Sequence, residues 1–193
     1  MAEKNKRPEW KRPVSKHSSA IKQIAIDRHF GTPIYLDDDV NYYAPGALGA
    51  FAQDLTDSTD PGEILINKSL VRQSYRGEDA ELIPPISEVM KHELAHVLQS
   101  RLPQGQNLRP PVEFEDANVN PFRDPTRSTL EDKFGTYSKE IPAYLLSSDN
   151  LAMLLKTKEA QTLKGRTRLK QQILQKLSSP GFEGFEKYRK IWE

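Results

Sequence analysis

Cysteine is absent from the 193 residues, which excludes disulfides, thiolate metal sites and cysteine nucleophiles together. Long apolar runs are missing too. The longest unbroken one is Leu151 to Leu155, and the charged N-terminal stretch holds no apolar segment of signal-peptide length. These gaps lead to the expectation of a cytoplasmic protein with no membrane contact. Histidine is scarce at four residues, so a metal site would have to combine a few imidazoles with carboxylates. Apolar content is lean at 36%, with a mean hydropathy of −0.70. Even so, Leu, Ile, Val and Phe make up about 23% of the chain, above the level at which disorder throughout is expected. The length suits one domain with appended arms.

The net charge of +1 conceals an asymmetry. Residues 1–23 carry seven Lys or Arg against two Glu, and residues 151–193 carry ten against four, so the middle is strongly acidic. Basic ends of this kind suit nucleic acid, an acidic partner, the chain's own acidic middle, or simple solvation. Residues 1–17, rich in Lys, Arg and Pro, read as a basic flexible arm. From Ser18 or Ser19 the spacing of Ile21, Ile24 and Ala25 predicts a helix ending at Gly31. Strands are expected over residues 32–36, within the small-residue stretch 46–52, and over 63–67 after an Asp60-Pro61-Gly62 turn. A helix is expected from Ile86 to Leu102, stopped by Pro103. Residues 103–137 form a Pro-rich insertion, a candidate lid or substrate-binding segment, with a capping box at Ser128 and Glu131 that predicts a short helix. A second long helix should start near Ser138 and run to Leu155, with Pro142 accommodated near its first turn. Residues 156–193 read as a basic helical tail with Leu163, Leu169, Ile173, Leu174 and Leu177 at helical spacing.

One short segment carries chemistry: His92-Glu93-Leu94-Ala95-His96, an H-E-x-x-H pattern inside the helix from Ile86. At about 100° and 1.5 Å per residue the two imidazoles lie one turn apart, so both can reach one metal ion. Glu93 lies beside them. His92 and His96 border the apolar stripe formed by Val89, Met90, Leu94, Val97 and Leu98, half sheltered and half open to solvent. With four His and 15 Glu, roughly 0.006 such patterns are expected by chance. The alternative is a pair of polar residues at the edge of a core helix.

A catalytic zinc site takes three protein ligands and keeps a fourth position for water. His17 and His29 both precede the motif, one in the arm and one at an expected helix end, so a carboxylate is the better third ligand. Glu140 stands 44 residues after His96 on the second expected helix, and Ala143, one turn later, would let the two helices approach. Glu113, Glu115, Asp116, Glu131 and Asp132 compete with it from the insertion, where they would be less rigidly placed.

With these residues the chain resembles the zincin metallopeptidases, specifically the gluzincins, whose third ligand is a Glu on a second helix. It is also similar to the ImmA/IrrE-type metallopeptidases, which combine a small Gly-rich strand, an Ile-x-Ile/Val-Asn strand, the H-E-x-x-H helix and Glu-x-x-Ala. The matching order here is residues 46–52, then Ile64-Leu65-Ile66-Asn67, His92 to His96, and Glu140-Ile141-Pro142-Ala143. The 44-residue gap and Pro142 depart from that pattern. Similar His-Glu-Leu-Ala-His-Val-Leu-Gln segments occur in small phage- and secretion-system-associated metallopeptidase domains. The resemblance covers residues 20–155. It implies an α+β fold of minimal zincin type, with a small mixed sheet packed on the active-site helix, a metallopeptidase domain over residues 18–155 and a helical C-terminal part.

The expected activity is zinc-dependent hydrolysis of peptide bonds in a protein or peptide substrate. His92, His96 and Glu140 would hold one Zn²⁺, and Glu93 would take the proton of the attacking water. Tyr144 and Tyr137 are candidates for stabilising the oxyanion, or are packed aromatics. Ile64, Leu65, Ile66 and Asn67 would form either a sheet edge to which an extended substrate adds as a strand, or an ordinary core strand. The competing expectation is a non-catalytic zinc-binding structural or interaction protein whose basic ends contact nucleic acid or an acidic partner.

Overall fold

The computed structural model describes residues 22–37, 40, 47–53, 60–69, 85–110, 130–152, 155 and 158–193. The expected arm, His17 and most of the Pro-rich insertion lie outside these residues. The described elements form an α+β protein, with a four-stranded mixed sheet in the first half and helices in the second. The chain divides into two compact units, Met1–Ile83 and Pro84–Glu193.

The first unit contains β1 (Lys22–Ile26), β2 (Pro33–Asp37), β3 (Gly49–Ala52) and β4 (Glu63–Asn67), in the order β1-β2-β4-β3. The expected helix before Gly31 is instead β1, antiparallel to β2. Its Ile24-Ala25-Ile26 stretch satisfies a period of two as well as a helical spacing, and pairing with β2 selects the strand. A register irregularity between Gln23 and Ala25 marks a bulge. The connection to β2 is a tight turn. Asp27 Oδ2 accepts the N–H groups of His29 at 3.1 Å and Phe30 at 2.6 Å, and Gly31 takes a φ of 70°. Only glycine enters that left-handed region without steric cost.

β4 pairs in parallel with β2 and antiparallel with β3. Its backbone is therefore hydrogen-bonded on both sides, which corrects the reading of Ile64–Asn67 as a free edge for a substrate strand. Ile64 and Ile66 are buried in the sheet's core. Asn67 is fully buried and its amide is already engaged: Nδ2 donates to the Ala47 carbonyl at 3.1 Å, and Oδ1 accepts from Ser69 N–H at 3.1 Å. This strand is structural. Just before it, Asp60 Oδ1 accepts the Gly62 N–H at 2.9 Å, and the Phe51 ring occupies the space a Cβ at Gly62 would need.

The second unit begins with α1 (Ile86–Ser100), entered from Pro85, whose carbonyl accepts the N–H groups of Glu88 and Val89. The next described helix, α2 (Leu130–Ser147), is a single element where two were expected. Pro142 consequently sits deep inside it and not in its first turn. Proline has no N–H for the carbonyl four residues back, a loss of about 3 kcal/mol in a helix interior. The offsetting gain is burial, since Ile141, Ala143, Leu145 and Leu146 are all core residues. α2 stops at Ser147, whose hydroxyl turns back onto the carbonyls of Ala143 and Tyr144, and a short α3 (Asp149–Ala152) follows. The expected helix to Leu155 is therefore broken.

The C-terminal segment is packed into the second unit. α4 (Leu163–Lys176) is capped by Thr162, whose hydroxyl accepts the Gly165 N–H at 3.0 Å. It buries Leu169, Ile173 and Leu174. A 3₁₀ turn (Glu186–Ile191) leads to Trp192, fully buried, whose indole donates to the Lys91 carbonyl on α1 at 3.0 Å. No described helix is long and apolar enough to cross a membrane.

Candidate metal centre

The two motif histidines leave α1 one turn apart, and their Nε2 atoms stand 3.2 Å from each other. Glu140, on α2, places one carboxylate oxygen 3.3 Å from His92 Nε2 and the other 3.5 Å from His96 Nε2. Among the described residues this is the group of three His or carboxylate side chains with its ligand atoms gathered, all within 4.8 Å of one another. The side chains are more sheltered than the helical projection implied, with exposures of 13% for His92, 15% for His96 and 28% for Glu140. Ala143, one turn beyond Glu140, is fully buried and adds little bulk there.

The donor set and its spacing fit a divalent cation. Imidazole nitrogens and a carboxylate facing one another at this range repel through their lone pairs unless protons or a cation lie between them. A tetrahedral zinc ion with bonds of about 2.0–2.1 Å needs its ligand atoms about 3.3–3.4 Å apart. The two imidazole nitrogens stand 3.2 Å apart, and each has its own Glu140 oxygen at 3.3 or 3.5 Å, separations close to that spacing.

The neighbours of the cluster shape its electrostatics. Burial on its own would lower the pKa of His96, but the Glu140 charge and hydrogen bond outweigh it. With the Glu93 charge and the Gln99 contact added, the imidazole is pushed up to about 9. Burial likewise opposes ionisation of Glu140, and the charge of His96 with hydrogen bonds from both imidazoles holds it far below the usual carboxylate range. Tyr144, one turn after Glu140, lays its ring against His92 with centroids 4.8 Å apart. Burial, then the charges of Glu140 and Glu93, push its phenol well above its ordinary value, so it stays protonated and able to donate. Glu93 is 4% exposed, and its charge reaches both His96 and Tyr144.

In the metal-free protein these shifts set a pH window. The raised pKa of His96 contributes stability that is complete below its ordinary 6.5 and lost as the pH rises through about 9. The lowered pKa of Glu140 contributes stability present above its ordinary 4.5 and lost at more acidic pH. With chelator present, the difference in melting temperature between wild type and Glu140→Gln should therefore be largest between about pH 4.5 and 6.5 and shrink above pH 9. A difference that grows from pH 6 to pH 10 would contradict this ion-pair assignment.

The chain matches no protein-family model, no curated protein and no solved structure. The site must be read from its own geometry. His92, His96, Glu140 and Tyr144 are brought together, with Glu93 beside them on α1. Glu113, Glu115 and Asp116 lie outside the described residues, as do the side chains of Glu131, Asp132 and Tyr137. His29 belongs to the β1–β2 turn. The residue that sequence reasoning missed is Gln99. Its Oε1 lies 3.2 Å from His96 Nδ1, and its Nε2 donates to the Lys139 carbonyl at 2.8 Å. The signal was present in the sequence, because residues three apart on a helix are neighbours.

Proposed function

We propose that this protein is a zinc-dependent peptidase, with His92, His96 and Glu140 as the metal ligands and Glu93 as the general base. The observation that supports the reading is the convergence of two imidazole nitrogens from α1, 3.2 Å apart, with the Glu140 carboxylate from α2, one oxygen 3.3 Å from His92 and the other 3.5 Å from His96, beside the nearly inaccessible Glu93. When bound there, zinc supplies Lewis-acid polarisation of a carbonyl and lowers the pKa of a coordinated water towards about 7. Glu93, next to His92 on α1, would take a proton from the attacking water and return it to the departing amine. Tyr144, protonated and seated against His92, is a hydrogen-bond donor for the charge that develops on the carbonyl oxygen.

The test combines metal content with cleavage. The purified chain should carry one zinc ion and cut an unfolded protein, lose that activity with a chelator, and regain it on addition of zinc. A fully zinc-loaded protein that cuts no unfolded protein would favour a structural zinc centre in an interaction protein. A chain that takes up no zinc would remove the metal reading altogether.

A further inference from the structure

The two nitrogens of the His96 ring face different surroundings. Nε2 points at His92 and Glu140, whereas Nδ1 lies 3.2 Å from Gln99 Oε1. The orientation of the Gln99 amide follows from its other contact. A backbone carbonyl can only accept, so the group 2.8 Å from the Lys139 oxygen must be the amide nitrogen, and the oxygen must face the ring. An oxygen acceptor requires a hydrogen on Nδ1, and a neutral imidazole then carries its lone pair on Nε2.

We infer that Gln99 is the positioning residue of this centre: its side-chain amide holds His96 in the tautomer that presents Nε2 to a metal, and ties α1 to the backbone next to Glu140. The inference rests on the metal-centre reading above and deepens it. One uncharged side chain orients one ligand directly and fastens the turn that carries another, since Lys139 immediately precedes Glu140. His92 provides the contrast. Its Nδ1 is buried without a hydrogen-bond partner, so no equivalent contact fixes its tautomer. The two histidines are therefore unequal: Gln99 presets His96, whereas among the described residues His92 is held by its Nε2 contact with Glu140 and its packing against Tyr144 and not through its Nδ1.

The test compares zinc affinity, by competition with a chromophoric chelator, and the visible spectrum of the cobalt-substituted protein in wild type, Gln99→Leu and Gln99→Glu. Loss of an outer partner of a metal-bound histidine typically costs about 10–100-fold in affinity. Gln99→Leu should show a loss of that order and an altered cobalt spectrum. Gln99→Glu keeps an acceptor for Nδ1–H but cannot donate to Lys139, and it should recover most of the affinity. A residue that merely staples two helices would behave differently, because both variants lose the Lys139 contact and would lose zinc equally. Equal losses, or wild-type affinity in Gln99→Leu, would overturn the inference. Should Gln99→Leu fail to fold, Gln99→Met provides the same comparison with a side chain of similar length. His92→Ala separates the two levels of the argument. If wild type binds zinc no better than His92→Ala, the metal centre itself falls and the inference with it. If wild type binds tightly and the Gln99 variants match it, the role of Gln99 alone is wrong.

Discussion

Glu93→Gln is expected to retain zinc while losing about 10²–10⁴-fold in kcat/KM for an unfolded protein substrate, the range that a positioned general base contributes. The substitution keeps the size and shape of a side chain only 4% exposed, so α1 and its packing should survive. What disappears is the capacity to accept a proton. The negative charge that helps raise the pKa of His96 goes too, so the metal-free imidazole should become neutral at lower pH and zinc uptake should not suffer. Zinc stoichiometry and kcat/KM measured on the same preparation distinguish this from a folding defect. Cleavage at the wild-type rate would remove Glu93 from the reaction.

Glu140→Ala should fail at an earlier step. Removing a direct ligand should weaken zinc binding by more than the about 10–100-fold that follows loss of an outer partner. The two imidazoles remain 3.2 Å apart, but the charge that accompanies them is gone. Activity should fall with metal occupancy and return in part at high zinc concentration, a rescue that Glu93→Gln should not show. Zinc affinity by chelator competition is the measurement. Unchanged affinity would transfer the third-ligand role to another carboxylate, with Glu113, Glu115, Asp116, Glu131 and Asp132 the sequence candidates.

The sequence made the motif helix legible because its limits are written in local chemistry: prolines at 84, 85 and 103 bracket a strong apolar period, and α1 occupies Ile86–Ser100. Elimination pointed only to a carboxylate, since cysteine is absent and the other histidines precede the motif, and Glu140 was favoured among six because it stood on an expected second helix. Features set by distant partners were not. The residues of β1 fit a helix and a strand equally well, and only their pairing with β2 decides between them. The interior place of β4 depends on β2 and β3 lying on either side of it, which no property of Ile64 or Ile66 announces. Pro142 suggested a helix start, yet the packing of Ile141, Leu145 and Leu146 carries α2 through it. Residues 156–193 looked like a tail because of their charge, although Leu169, Ile173 and Leu174 of α4 are buried.

The hydrogen bond from Trp192 to Lys91 spans 101 positions and ends on the residue just before His92. Fraying of the last turn would therefore loosen the backbone from which the first imidazole is suspended. That couples the two into one opening event instead of leaving the end of the chain to fluctuate alone. The rigidity that keeps the His92 and His96 rings in register is thus supplied in part by an indole that touches neither of them.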